Sequence, residues 1–271
     1  MIRSNCHTHT RFSDGLSTIV EYADAAVALG FHSLGFSEHG YVPFGGLYAG
    51  MAPGSETGYR EAVGDAKRAY AGRLCIFLGL ENDSVNMRPI EDFDYTIGSV
   101  HCINRNGKYY SVDSREYKVA DAIASEFGGD GLAYAEAYFE AVRVFASEKR
   151  ADVMGHIDLV RRFNANGKYF DENCAAYRRA AAAALEAAVA SGYIIEVSTA
   201  PLQKGFSCEP YPARFLLELA WGLGARVAVN SDAHSAEGLA YAFDKIERLL
   251  ADIGFKERWE LTKGSFSPVG M

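Results

Sequence analysis

Leu74-Cys75-Ile76-Phe77-Leu78-Gly79-Leu80-Glu81 is an unbroken apolar run that stops at a carboxylate. A short continuous apolar segment of this kind reads as a buried strand. The same ending recurs along the chain. His101 closes Tyr95-Thr96-Ile97-Gly98-Ser99-Val100, His156 closes Asp152-Val153-Met154-Gly155, and His39 closes Leu34-Gly35-Phe36-Ser37-Glu38. His7-Thr8-His9 follows the segment 2–6, and Asp232-Ala233-His234 follows Arg226-Val227-Ala228-Val229-Asn230. Residues i and i+2 of a strand point to the same side, so His7 and His9 can reach one metal, and Asp232 and His234 repeat the arrangement. Functional groups at the C-terminal ends of several parallel strands are the pattern of a barrel enzyme face.

Around these endings the chain alternates. Strands are expected at 2–6, 33–37, 74–80, 95–101, 152–156, 193–197 and 226–230. Helices are expected at 18–29 (N-cap Ser17), 56–71, 131–149, 172–190, 212–222 and 236–253. Residues 41–54, with four glycines and two prolines, read as a loop; its Tyr-rich part, 41–48, is a candidate cover for the site. Residues 102–130 read as irregular, with Gly107 and Gly128-Gly129 breaking any period. Seven strands alternating with helices imply an α/β fold with a parallel sheet. Ligands from the first and last strands must meet. A flat doubly wound sheet does not easily bring them together, whereas closure into a barrel does. The expectation is one domain over 1–271, a distorted seven-stranded (β/α)7 barrel related to the TIM barrel. An α/β barrel of roughly 250 residues is ordinary.

Composition narrows the function. The 27 Lys and Arg against 35 Asp and Glu give a formal charge of −8. With no basic run, extended nucleic-acid contact is not expected, and an anionic small substrate is still allowed because bound divalent ions would dominate the local potential. No apolar stretch reaches the roughly 18 residues of a membrane span, and no signal-peptide core follows Met1. The five cysteines, Cys6, Cys75, Cys102, Cys174 and Cys208, form no CxxC pair. They fit small buried hydrophobes in a reduced cytoplasm. The sequence does not set the oligomeric state.

The candidate ligands are His7, His9, Asp14, His39, Glu81, His101, His156, Asp232 and His234, including six of the seven histidines. One zinc uses about four ligands, water included, so nine suffice for two or three divalent transition metals (Zn, Mn or Fe) with bridging carboxylates. Asp14 carries the weakest signal, since Asp14-Gly15 is also a common turn. Glu38 is expected to face away from His39, Asp158 to be a partner of a ligand or a helix cap, and His32 to have no role. Arg161 and Arg162 follow strand five, and Gln203-Lys204 follows strand six. These four are candidates for binding phosphate. The set points to metal-assisted hydrolysis of a phosphate ester.

The pattern resembles the polymerase and histidinol phosphatase (PHP) superfamily, most closely its monofunctional histidinol-phosphate phosphatases. The matching pieces are His7-Thr8-His9, Asp14, Ser37-Glu38-His39, Gly79-Leu80-Glu81, Gly98-Ser99-Val100-His101, Gly155-His156-Ile157-Asp158 and Ser231-Asp232-Ala233-His234. Tyr109-Tyr110-Ser111-Val112-Asp113 and Phe127-Gly128-Gly129-Asp130 are similar to one phosphatase branch. The resemblance implies a trinuclear centre. His7, His9, Glu81 and Asp232 would hold the first ion, Glu81 would bridge to a second held by His101 and His156, and Asp14, His39 and His234 would hold the third. It implies hydrolysis of L-histidinol phosphate in histidine biosynthesis, with Glu81, Asp232 and His234 catalytic and Arg162 and Lys204 on the phosphate. Gln203 departs from the arginine common in that branch. The rivals are a phosphoesterase of nucleotides or oligonucleotides, and a non-catalytic metal-binding domain. An amidohydrolase also begins with His-x-His but uses a bridging lysine where this chain offers Glu81.

Overall fold

The computed structural model describes residues 1–42, 50–85, 92–148, 150–262 and 264–271; most of the candidate cover at 41–48 lies outside them. Seven parallel strands form the sheet: β1 (Ser4–Asn5), β2 (Ser33–Phe36), β3 (Cys75–Asp83), β4 (Tyr95–Ser99), β7 (Val153–Met154), β8 (Ile194–Ser198) and β9 (Val227–Asn230), in that spatial order. The helices α1 (Ile19–Ala28), α2 (Glu56–Ala69), α4 (Gly131–Ser147), α5 (Ala175–Ala190) and α7 (Arg214–Gly222) lie between strands of this sheet, and α8 (Phe243–Ile253) follows β9. A one-turn helix, α6 (Ala200–Gln203), follows β8 directly. The N-cap of α1 is Thr18, one residue beyond Ser17. Its hydroxyl accepts from the Glu21 N–H while the Glu21 carboxylate accepts from the Thr18 N–H, a reciprocal cap that starts the helix there.

The barrel closes without a ladder between β9 and β1. Side chains make the seam. Asn230 Oδ1 accepts from the Cys6 N–H at 2.9 Å, and Asn5 Nδ2 donates to Ser231 Oγ at 2.6 Å and to the Leu239 carbonyl at 2.9 Å. Just beyond the strands the backbones do pair, His9 N–H to the Ala233 carbonyl at 2.9 Å. Each such bond contributes about 1 kcal/mol net. The seam therefore fixes His7 and His9 against Asp232 and His234.

The helix expected over 236–253 begins only at Phe243, after a short 3-10 turn at Ala236–Gly238, and two further segments differ from the sequence expectation. Residues 102–130 are ordered into a hairpin, β5 (Cys102–Arg105) and β6 (Lys108–Ser111), followed by α3 (Glu116–Glu126). Asn106 and Gly107 both have positive φ, 53° and 82°, as a two-residue type I′ turn requires. Gly107 is thus the turn residue of the hairpin. Gly128 and Gly129, also at positive φ, lie just past the end of α3. The second difference is a hairpin past α8, β10 (Glu257–Thr262) and β11 (Ser265–Gly270), in a stretch where no element was expected. It packs over the inner core formed by Cys6, Phe77, Tyr95, Ile97, Val153, Ile194 and Ala228, contributing Leu261 with Trp259 and Phe266. Arg258, 3% exposed, anchors it through Glu260 at 2.7 Å and Glu247 at 3.1 Å.

Tyr95 fills the inside of the barrel. Its hydroxyl donates to the Cys6 and Phe36 carbonyls, and its ring lies over Gly35 and Gly79, where a Cβ would overlap it. Overpacking a filled core costs about 1–3 kcal/mol. Gly79→Ala is therefore expected to lower Tm by roughly 5 °C at this chain length, read by thermal melting. An unchanged Tm would mean that the ring is free to move.

Candidate metal centre

The carboxylate that ends the longest apolar run is the hub of the site. Glu81 is 1% exposed, and five imidazoles converge on it. Its Oε2 lies 2.7 Å from His39 Nδ1 and 3.5 Å from both His7 Nε2 and His9 Nε2; its Oε1 lies 2.9 Å from His156 Nε2 and 3.4 Å from His101 Nε2. These residues come from the ends of β1, β2, β3, β4 and β7. Asp232, beyond β9, places Oδ1 3.2 Å from His9 Nε2 and 3.7 Å from His7 Nε2. Its φ of 48° is left-handed for a residue with a side chain, and strain of about 1–3 kcal/mol of this sort collects at functional sites. Nearer the mouth, Asp14 Oδ1 is 3.4 Å from His234 Nε2 and 3.7 Å from His39 Nε2. All nine expected ligands are brought to one place.

Four sets within this cluster have ligand atoms within 4.8 Å of one another: His9-Asp14-His39-His234, His7-His9-Asp232, His7-Glu81-His156 and His39-Glu81-His101. The donor chemistry fits divalent ions. The Nε2 atoms of His7 and His9 are buried and make no hydrogen bond, which is costly for a polar atom away from water and is relieved when the lone pair binds a metal.

Electrostatics agree. His9 stacks on His39 with ring centroids 4.2 Å apart. Its burial, with the charges of His39 and His234, depresses it to about 3, so it is the neutral imidazole that metals require. Burial alone would raise Glu81, but His39, His7 and His101 hold it well below the usual carboxylate range. Asp232 is likewise low despite burial, because Lys204 and His7 face it. Burial would lower His101, yet Glu81 and Asp83 lift it to about 10. These pulls describe a concentrated anionic well that takes up cations.

Beyond the ligands, the structure adds two carboxylates that sequence reading passed over. Asp83 Oδ2 lies 2.7 Å from His101 Nδ1, and Glu196 Oε1 lies 2.6 Å from His7 Nδ1. Both are buried. Glu196, a carboxylate within the apolar strand Ile194–Ser198, carried an available signal, since such groups are almost never fully buried unpaired; Asp83 ends β3 after Glu81-Asn82 and carried none of that kind. Glu38 faces away from the cluster. It accepts from the Thr10 N–H at 2.8 Å and from the Ser13 hydroxyl, which pins the loop that carries Asp14.

The four cation and amide candidates divide. Lys204 Nζ lies 3.9 Å from Asp232 Oδ2, at the centre. The Arg162 guanidinium sits 4.7 Å over the Phe206 ring, with Nη1 3.6 Å from Asp113 Oδ2. Arg161 is not brought to the cluster. Its guanidinium, 7% exposed, is held by Asp158 at 3.0 Å, Glu172 at 2.6 Å and Glu209 at 3.4 Å. Asp158 also accepts from the Ala213 N–H at 2.8 Å, so it ties the start of α7 to Arg161. The Gln203 amide packs against Gly238.

Comparison with known proteins gives a consistent result. The histidinol-phosphatase of Bacillus subtilis (strain 168) is 26% identical over 268 residues, covering 90% of this chain and 98% of the relative. The structure of the HisK protein of Listeria monocytogenes superposes with a TM-score of 0.76 at 23% identity, over 89% of this chain and 98% of that one. The histidinol phosphate phosphatase of Lactococcus lactis, solved with zinc, L-histidinol and phosphate, superposes with a TM-score of 0.75 at 19% identity, over 98% and 100%. The PHP domain family profile matches residues 5–200. With the profile matching residues 5–200, more than half of its length, this chain belongs to the PHP domain family.

Proposed function

We propose that this protein is a metal-dependent phosphomonoesterase that hydrolyses L-histidinol phosphate to L-histidinol and phosphate. The observation that carries the reading is the gathering of nine candidate ligands, with five imidazoles around Glu81, beside the Lys204 ammonium. The names of the relatives support the substrate.

Two to three divalent ions fit, of zinc, manganese or iron. His7, His9 and Asp232 would hold one, His101 and His156 another, and Asp14, His39 and His234 a third, with Glu81 shared. When bound, such ions lower the pKa of water towards about 7 and draw charge from phosphoryl oxygens. The chain's own residues do the rest. Neutral His9 offers a lone pair that protonation does not block at working pH. Lys204 and Arg162 supply positive charge for the phosphate oxygens, where phosphoryl transfer needs electrostatic stabilisation most. Phe206 supports the guanidinium plane, which limits its rotamers before substrate arrives.

The reading is tested by phosphate release from histidinol phosphate, nucleotides and a single-stranded oligonucleotide. A specificity constant for either nucleic-acid substrate equal to that for histidinol phosphate would favour the nucleotide phosphoesterase. Arg162→Ala should raise KM about tenfold and change kcat less. A hydrogen bond to a charged group contributes about 1.5–3 kcal/mol, and this side chain is partly solvated. Unchanged KM, with unchanged inhibition by inorganic phosphate, would place Arg162 outside the phosphate site.

A further inference from the structure

Six of the seven barrel strands end in one or more of the nine ligands; β8 ends in none. From its position on that strand, we infer that Glu196 is a positioning residue for the centre, one that fixes the tautomer of His7 and ties it to His156. The inference rests on the metal-centre reading but not on the identity of the substrate.

The argument follows the hydrogens. Glu196 is completely buried, and both its oxygens are engaged from three other strands or strand ends. Oε2 lies 2.9 Å from the His156 backbone N–H, which can only donate. Oε1 lies 3.0 Å from Asn230 Nδ2. That amide is oriented by the seam, because Asn230 Oδ1 accepts from the Cys6 N–H, so its nitrogen faces Glu196 as a donor. A carboxylate surrounded by fixed donors accepts at both oxygens. The remaining neighbour, His7 Nδ1 at 2.6 Å, must then donate as well. A neutral His7 with its proton on Nδ1 has its lone pair on Nε2. That atom faces Glu81 at 3.5 Å and Asp232 at 3.7 Å and has no hydrogen bond of its own. The carboxylate partner of a ligating imidazole sets tautomer, ring angle and basicity in this way.

The arrangement also explains why β8 carries a buried charge inside Ile194-Ile195-Glu196-Val197-Ser198. Removing a carboxylate from water is expensive and is tolerated when its acceptor sites are filled. Here they are filled by groups that the centre must hold still. Gly155 stands beside it, and a Cβ there would press on Ser99 Oγ while meeting Glu196 Oε2 at ordinary contact distance.

The decisive variant is Glu196→Gln. An amide has one accepting oxygen and one donating nitrogen. With the nitrogen towards the His156 N–H, two donors collide. With the nitrogen towards His7, the ring proton is forced onto Nε2, the atom that should bind metal. Glu196→Gln is therefore expected to weaken zinc binding about 10–100-fold, measured by competition with a chromophoric chelator, with the far-UV circular dichroism of the parent. Glu196→Asp, which keeps the charge on a shorter arm, should recover part of the loss. In the zinc-loaded parent, two-bond ¹H–¹⁵N correlation of the imidazoles should show His7 protonated at Nδ1. Zinc affinity equal to the parent's in Glu196→Gln, or a His7 without a proton on Nδ1 in the parent, overturns the inference. If the variants do not fold, the parent spectrum still decides. Failure of histidinol phosphate as substrate would leave the zinc titration untouched, so the two readings fail separately.

Discussion

Glu81→Gln should lower kcat by about 10³-fold or more and reduce the metal bound per chain. The two side chains have nearly the same shape, so the effect is one of charge and lone pairs. Glu81 faces five imidazoles within 3.5 Å. An amide in its place keeps one accepting oxygen and turns the other position into a donor aimed at ring nitrogens. Ions on both sides of the shared carboxylate would lose a ligand, and the geometry of attack would change with them. Bound metal contributes several kcal/mol of transition-state stabilisation, and about 4 kcal/mol corresponds to a thousandfold in rate. The loss should exceed that of Arg162→Ala and appear in kcat, because Glu81 does not touch the part of the substrate that distinguishes one ester from another. Steady-state kinetics and elemental analysis on the same preparation check it. Near-parental turnover with full metal content would remove Glu81 from the centre of the mechanism.

The second large effect is expected on removing metal. Chelation should abolish phosphatase activity and lower Tm by roughly 10–20 °C, both restored by returning zinc, manganese or iron. A ligand that binds only the folded state at about 100 times its Kd contributes about 2.7 kcal/mol. Two such ions give about 5 kcal/mol, and 1 kcal/mol moves Tm by about 2–4 °C in a chain of this size. Elemental analysis should find more than one equivalent per chain, because the ligands present exceed the four or so that one ion uses. At most one equivalent after supplementation, or a Tm indifferent to verified removal, contradicts a multinuclear centre.

Much of this was legible in the sequence because each ligand stands where hydrophobicity stops. A strand such as 74–80 must be buried on both faces, so the polar residue at its end is the first that can reach a common cavity. That rule placed Glu81, His101, His156 and His39, and the i, i+2 spacing placed the two pairs. Elements that rest on turn chemistry were harder to read. Asn106-Gly107 makes a hairpin by adopting positive φ twice, and reading the glycine only as a breaker hid it. The hairpin at 257–270 owes its place to packing on the inner core, which no local pattern announces. Arg161 and Arg162 are adjacent and chemically identical. The structure separates them through Asp158, Glu172 and Glu209 around one and Phe206 beneath the other.

The seam between β1 and β9 has a kinetic consequence. The bond from Asn5 to Ser231 spans 226 positions of sequence, and that from Cys6 to Asn230 spans 224. Contacts so remote in sequence carry a large loop-closure cost before they contribute anything, and chains dominated by them fold slowly. His7 and His9 lie on one side of that closure and Asp232 and His234 on the other. His39, Glu81 and His101, on neighbouring strands, can meet before closure. The sets that draw on Asp232 and His234 exist only once the ring is shut, so full metal occupancy is expected to follow closure, and a chain that has stalled short of it offers an ion only part of the centre.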